Sequence, residues 1–238
     1  MGGPCSITTY ENLNDTVSDM DRVDIIRAGA YKLRKSPYMF TGMKEEGIDI
    51  LSRVGKEHHK PVITEIISEN QLPMFEKYVD IIQVGTRNMS NFALLEALGK
   101  STKPVMLKRG SCATIEEWLL AAEYIVKAGN PNVILCERGI RTYETATRNT
   151  LDLSAVSLVK KVCNLPIIVD PSHGTGRFDL VEDMTLAAIA CGADGVMLEV
   201  SQNIEGLRSD GIQTITTKRY NELLKKMQKV CEAIGREF

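Results

Sequence analysis

The sequence predicts an α/β fold, a single (β/α)8 (TIM) barrel spanning residues 1–238, and three observations predict it. Short apolar, β-branched runs alternate with longer amphipathic ones; there are eight of each; and no linker, low-complexity segment or composition break divides them. Strands alternating with helices at this spacing imply right-handed βαβ units and a parallel sheet. Eight units in 238 residues fit a closed barrel, typically ~250 residues long. A doubly wound open sheet would call for a glycine-rich dinucleotide fingerprint, and Gly174-Thr175-Gly176 is too short to supply one. No regulatory domain appended to the barrel is expected.

The strands are predicted at residues 3–5, 23–27, 61–66, 80–84, 104–107, 132–136, 166–170 and 194–199. Helices are predicted at 10–20, 43–57, 68–78, 91–97, 114–128, 155–163, 181–191 and 217–234. The seventh strand, Pro166-Ile167-Ile168-Val169-Asp170, is β-branched and apolar throughout its centre, the pattern of a strand buried on both faces. It stops in Pro171-Ser172-His173-Gly174-Thr175-Gly176, read as a loop because Pro and Gly force the chain out of the sheet. Thr114 and Glu117 form a capping box at the start of the fifth helix. There Ile115, Trp118, Leu119, Ala122, Ile125 and Val126 share one face, so the lone Trp is a packing residue. Gly192 suits a left-handed cap after the helix before the last strand.

Composition narrows the function classes. A net charge of −2 lacks the basic stripe that nucleic-acid binding requires, so no nucleic-acid partner is expected. No apolar run approaches the roughly 20 residues of a membrane span, and no signal peptide is visible. Six cysteines lie scattered without CxxC spacing, which predicts reduced thiols and a cytoplasmic protein. Cys112, Cys136, Cys163, Cys191 and Cys231 are assigned to the core. His58 and His59 precede the third strand and belong to the opposite rim, where residues serve stability.

In a barrel the carboxyl ends of the strands converge on one rim, however distant in sequence. That rim gathers two chemically distinct sets. Cys5, His173, Glu199 and Asp210 offer thiolate, imidazole and two carboxylates, donors suited to one divalent metal: Mn, Fe, Co or Zn. Arg27, Lys32, Arg34, Arg87, Lys108 and Arg138 form a cation cluster, with Glu65 at the end of the third strand. Six cations on one rim of a slightly acidic protein call for anions, and Arg forks grip phosphate or carboxylate. Two anionic substrates, at least one phosphorylated, follow.

Seven motifs carry a family resemblance. They are Gly3-Pro4-Cys5-Ser6; Arg27-Ala-Gly-Ala-Tyr-Lys32-Leu-Arg34-Lys-Ser36-Pro37; Gln83-Val-Gly-Thr-Arg87-Asn88-Met89; Lys108-Arg109-Gly110; Cys136-Glu-Arg138-Gly-Ile-Arg141-Thr142; Asp170-Pro-Ser-His173-Gly; and Leu207-Arg-Ser-Asp210-Gly. In this order they resemble the 3-deoxy-7-phosphoheptulonate (DAHP) synthases of type I-beta, within the superfamily that also holds the 3-deoxy-octulosonate-8-phosphate synthases. The resemblance implies condensation of phosphoenolpyruvate with erythrose 4-phosphate, the entry to the shikimate pathway and aromatic amino acids. It implies a metal held by Cys5, His173, Glu199 and Asp210. Arg87, Lys108 and Arg138 would hold the phosphoenolpyruvate phosphate, Arg27 and Lys32 would lie near its carboxylate, and Arg34 would bind the acceptor phosphate. Ser36 and Glu65 complete the substrate-binding set, Lys32 is the candidate proton donor, and Cys5 and His173 count as catalytic through the metal. Barrels of this family associate, so a homodimer or homotetramer is expected.

Two departures fall on the acceptor side. Leu33 and Lys35 stand where the family commonly has Pro and Thr, which restores a backbone N–H and adds a cation. Ser201-Gln202-Asn203 stands near where Val-His-Pro is frequent. Two other readings share these residues: a sister synthase taking a different phosphosugar aldehyde, and a non-catalytic barrel that binds phosphometabolites.

Overall fold

A computed structural model describes every residue except Lys35, Pro37, Gly206, Arg208, Ser209 and Asp210. Its strands are β1 (Gly2–Gly3), β2 (Ile26–Arg27), β3 (Val62–Ile66), β4 (Ile81–Val84), β5 (Val105–Lys108), β6 (Val133–Glu137), β7 (Ile167–Val169), β8 (Gly195–Val196), β9 (Leu198–Ser201) and β10 (Ile215–Thr216). Its helices are α1 (Tyr10–Ser18), α2 (Lys44–Glu57), α3 (Leu72–Tyr78), α4 (Phe92–Leu98), α5 (Ile115–Lys127), α6 (Leu153–Val162), α7 (Pro171–Thr175), α8 (Val181–Ala190) and α9 (Thr217–Ala233).

All the strand pairs are parallel, and β1 through β8 follow one another in order. The predicted last strand is split at Met197. Its first half, β8, pairs with β7, and its second half, β9, pairs with β1, so the sheet closes on itself. Met197 keeps the seam intact by donating its N–H to Val169 O at 2.8 Å. The open doubly wound alternative is thereby excluded. An extra strand, β10, lies outside the barrel beside β9.

The period of two along each strand builds the site. Ile63, Ile81, Met106, Cys136, Ile168 and Met197 point inward and pack together with Ile25 as an apolar plug. Two residues further along, in the same order, stand Glu65, Gln83, Lys108, Arg138, Asp170 and Glu199, with Arg27 following Ile25. Side chains two apart share a face, so each strand lays down one apolar layer and then one polar layer. A second cluster, including Trp118, Phe75, Leu13 and Leu95, fills the space between barrel and helices.

The capping box forms as predicted: Glu117 N–H donates to Thr114 Oγ1 at 3.1 Å, and Thr114 N–H to Glu117 Oε2 at 2.8 Å. Trp118 is buried and donates its indole N–H to Leu107 O at 3.1 Å. Two expectations need correction there. Val126 is 40% exposed, off the buried face formed by Trp118, Ala121, Ala122 and Ile125. Cys112 is exposed too, on the loop before α5, whereas Cys136 and Cys231 are buried and Cys163 and Cys191 half-buried.

The stretch after β7, read as a loop, contains the five-residue helix α7. The residues taken as breakers are its boundary signals: Asp170 accepts the His173 N–H at 3.0 Å, Pro171 opens the first turn, and Gly176 ends it at φ 69°. Gly192 caps α8 at φ 96°, as predicted.

Candidate active site

Cys5, His173 and Glu199 come from three separated parts of the chain, and their donor atoms lie within 4.8 Å of one another. Cys5 follows β1, Glu199 lies on β9, and α7 lifts His173 over the mouth of the barrel between them. Asp210, the fourth expected ligand, lies outside the described residues. Thiolate, imidazole and carboxylate are the donors of a transition-metal site, and one ion about 2.0–2.3 Å from each spans nearly this separation. The residues therefore fit a single divalent metal.

The three donors are held from behind. His173 Nδ1 faces Asp170 Oδ2 at 2.7 Å, which directs Nε2 toward Glu199 Oε1, 3.0 Å away. A carboxylate behind a metal-binding histidine fixes its ring and raises its basicity. Burial lowers the imidazole pKa, but Asp170 and Glu199 together overcome this and lift it to about 9. Burial would raise the Asp170 carboxyl; the charges of His173 and Lys108 outweigh it and hold the group well below the usual range. Glu199, equally buried, is held down by His173, Arg27 and Lys32.

Above the donors opens a cavity of about 370 Å³. All six cations of the predicted cluster line it, joined by Arg141 and Arg148, and Glu65 is the one carboxylate lining it among the described residues. Lys108 Nζ contacts Asp170 Oδ2 at 2.5 Å, which seats a buried ammonium beside the histidine. Lys32 Nζ approaches Cys5 Sγ at 2.7 Å. Arg138 is buried, and its guanidinium donates to the carbonyls of Gly139 and His173 at 3.3 and 3.4 Å. Burial lowers its pKa and Arg148 adds to that, against the pull of Asp170. A desolvated guanidinium in such surroundings is a ready anion receptor.

Two expected members sit differently. Arg27, expected near a substrate carboxylate, lines the cavity but is ion-paired with Glu199 Oε1 at 3.1 Å, behind the donor set. Ser36 lines an adjoining cavity with Lys32, Leu33 and Arg34, outside the central one. Lys35, one of the two acceptor-side departures, lies outside the described residues. Arg109, next to Lys108, turns away to Glu137 and Asp152, both at 2.9 Å, and braces the strand end that carries Arg138.

Three lining residues escaped the sequence reading, Ser111, Arg148 and Asn149, as did the buried Gln213, which bonds Arg148 and Glu199. Arg148 and Asn149 lie in the 138–152 loop, which is tied to α7 by Arg148 N–H to Thr175 O and Asn149 N–H to Gly174 O, at 2.8 and 3.0 Å. Gln83 belongs to a quoted motif, and its Oε1 is a buried acceptor without a partner among the described residues.

Comparison with known proteins agrees with this geometry. Residues 1–236 match the model of the DAHP synthetase I family. Phospho-2-dehydro-3-deoxyheptonate aldolase of Thermotoga maritima is 48% identical over 237 residues, covering 99% of this chain and 70% of the relative. The crystal structure of DAHP synthase from that organism superposes with a TM-score of 0.96 at 47% identity, over 100% of this chain and 70% of the other. A truncated form of the Thermotoga maritima synthase gives 0.91 at 46% identity, over 99% and 87%. A 2-dehydro-3-deoxyphosphooctonate aldolase from Desulfosudis oleivorans is 27% identical over 98% of this chain and 90% of its own. The chain belongs to the DAHP synthetase I family.

Proposed function

We propose that this protein condenses phosphoenolpyruvate with erythrose 4-phosphate to give 3-deoxy-D-arabino-heptulosonate 7-phosphate and inorganic phosphate. The observation that carries the reading is one cavity lined by eight cations and by His173, whose ring belongs to a donor set with Cys5 and Glu199. Arg87, Lys108 and Arg138 bind the phosphoenolpyruvate phosphate, with the desolvated Arg138 guanidinium and the Lys108 ammonium supplying preorganised positive charge. Lys32 faces its carboxylate, and Arg34, at the outer side, binds the acceptor phosphate. Cys5, His173 and Glu199, with Asp210, hold the divalent metal, which supplies Lewis-acid polarisation of the acceptor aldehyde when bound.

Carbon 3 of phosphoenolpyruvate forms the new bond to the aldehyde carbon, and water adds at carbon 2. The resulting phosphohemiketal releases inorganic phosphate as its carbon 2–oxygen bond breaks and the ketone forms. Lys32 delivers a proton to the new alkoxide, a role supported by its Nζ lying in the cavity wall beside the metal donor Cys5. Gln83 Oε1, an acceptor in the cavity wall without a partner among the described residues, orients a substrate hydroxyl or the entering water.

A cytoplasmic setting and assembly into a homodimer or homotetramer belong to the same proposal. All six cysteines are thiols outside any disulfide, and no helix among the described residues is long and apolar enough to cross a membrane. Sedimentation velocity reads the assembly state.

The acceptor is tested by phosphate release from phosphoenolpyruvate with erythrose 4-phosphate and, separately, with a five-carbon phosphosugar aldehyde. The expected result is turnover with the four-carbon aldehyde exceeding the other at least tenfold in kcat/KM. Preference for the five-carbon aldehyde would reassign the chain to a sister synthase and place the difference at Leu33, Lys35 and residues 201–203.

A further inference from the structure

Gln213 lies in the short turn Gly211–Gln213 that leads into β10, and it is 2% exposed. Its amide nitrogen donates to Glu199 Oε2 at 2.7 Å, and its amide oxygen accepts from Arg148 Nη1 at 3.0 Å. Glu199 is an acceptor without a proton to give, and Arg148 is a donor without a lone pair to offer. An amide satisfies both, and these two neighbours dictate which way it points. A glutamate at 213 would serve Arg148 and repel Glu199; a lysine would do the reverse.

The two groups joined by this amide belong to different halves of the site. Glu199 is one of the three donors of the candidate metal set, and its other oxygen, Oε1, is already engaged by Arg27 and His173. Arg148 lines the cavity wall in the same loop as Arg138, on a segment pinned to the helix that carries His173. Moving Glu199 therefore moves the group that aims Arg148, and the converse.

We propose that Gln213 is a positioning residue that couples the metal-donor end of the cavity to its anion-binding end. Metal occupancy and anion affinity then raise each other by the same factor, as linkage requires. The inference rests on the metal reading given above.

The test uses cobalt(II) as the metal probe and inorganic phosphate as the anion probe, in the intact protein. Cobalt affinity is read from the thiolate-to-cobalt absorption band, which depends on Cys5. Phosphate affinity is read calorimetrically with and without cobalt. Gln213→Leu is expected to weaken cobalt binding by about 10–100-fold, the usual effect of removing such an outer partner. Arg148→Ala, which spares the Gln213–Glu199 hydrogen bond, is expected to weaken cobalt binding less than Gln213→Leu does. Both variants lose most of the cobalt–phosphate coupling, of the order of 5–150-fold where two sites are linked. The residue is the direct attraction between the two ions.

Arg148 is exposed, so its replacement leaves the fold intact even if Gln213→Leu proves unstable, and it then reads the coupling alone. Wild-type coupling retained in Arg148→Ala, or wild-type cobalt affinity in folded Gln213→Leu, would overturn the proposal. A wild-type protein with no Cys5-dependent cobalt band would overturn the metal reading itself and this proposal with it.

Discussion

At the scale of single residues, the donor set survives because its neighbours leave no room for error. A Cβ added to Gly29 would stand 2.4 Å from the Cys5 carbonyl oxygen and 2.6 Å from Lys32 Cε. Backbone cannot yield as a flexible side chain does, so Gly29→Ala must displace Cys5, Lys32 or both. The expected outcome is a loss of about 1–3 kcal/mol in stability, the usual cost of overpacking, and at least tenfold weaker metal binding. A denaturant melt and a metal titration check the two effects. Cys5, His173 and Glu199 were legible in the sequence because each stands at or just past the end of a predicted strand, Cys5 and His173 within quoted motifs as well. Gln213 was not, because its signal is a pair of hydrogen bonds to residues 14 and 65 positions away in sequence. Arg27 was legible as a rim cation but not as the partner of Glu199, which requires knowing which strands flank the seam.

Elements are fixed by caps and by a few shared carboxylates. Thr114→Ala removes one half of the capping box on α5 and is expected to cost about 1 kcal/mol, or roughly 2–4 °C in Tm for a domain of this size. Asp194 ties three elements together: Lys160 of α6 at 2.6 Å, the Ile167 N–H opening β7 at 2.9 Å, and Arg236 beyond α9 at 3.0 Å. Burial would raise its carboxyl, but these donors outweigh it and lower the pKa below its ordinary 3.8. A lowered folded pKa means that the contribution is complete above about 3.8 and is lost as pH falls through the folded value. Asp194→Asn is therefore expected to melt below the wild type at pH 7, and the gap should close as pH drops under 4. Melting curves of both proteins across that interval decide it, and a gap independent of pH would show that the charge plays no part. Helix existence was legible from periodicity for every helix but α7. α7 was missed because Asp, Pro and Gly signal a cap and a break with the same letters, and five residues are too few to show a period. The strand split at Met197 and the added β10 carry no periodic signature either.

Across the whole molecule the charge is divided. The chain carries a net charge of −2, yet one mouth of the barrel concentrates eight cations around a 370 Å³ cavity. Such a field steers anionic substrates, and salt screens it. The expected consequence is a kcat/KM for phosphoenolpyruvate that falls several-fold as the Debye length shrinks from about 30 to about 8 Å between low and physiological salt, while kcat changes little. Steady-state kinetics over that range test it. Barrel closure was legible from the count of alternating units, and the polar layer over the apolar plug follows from the two-residue period of each strand. How the 138–152 loop folds back over that layer was not, since its turns are set by contacts with α7 rather than by local sequence. The central claim is that the donor triad and the cation-lined cavity act as one catalytic site. It is tested most directly by phosphate release from phosphoenolpyruvate and erythrose 4-phosphate in metal-loaded wild type, Cys5→Ala and His173→Ala, each verified as folded. The account predicts aldehyde-dependent release by the wild type and a loss of at least a thousandfold in both variants. Equal release by all three proteins, or none from metal-loaded wild type, would contradict it.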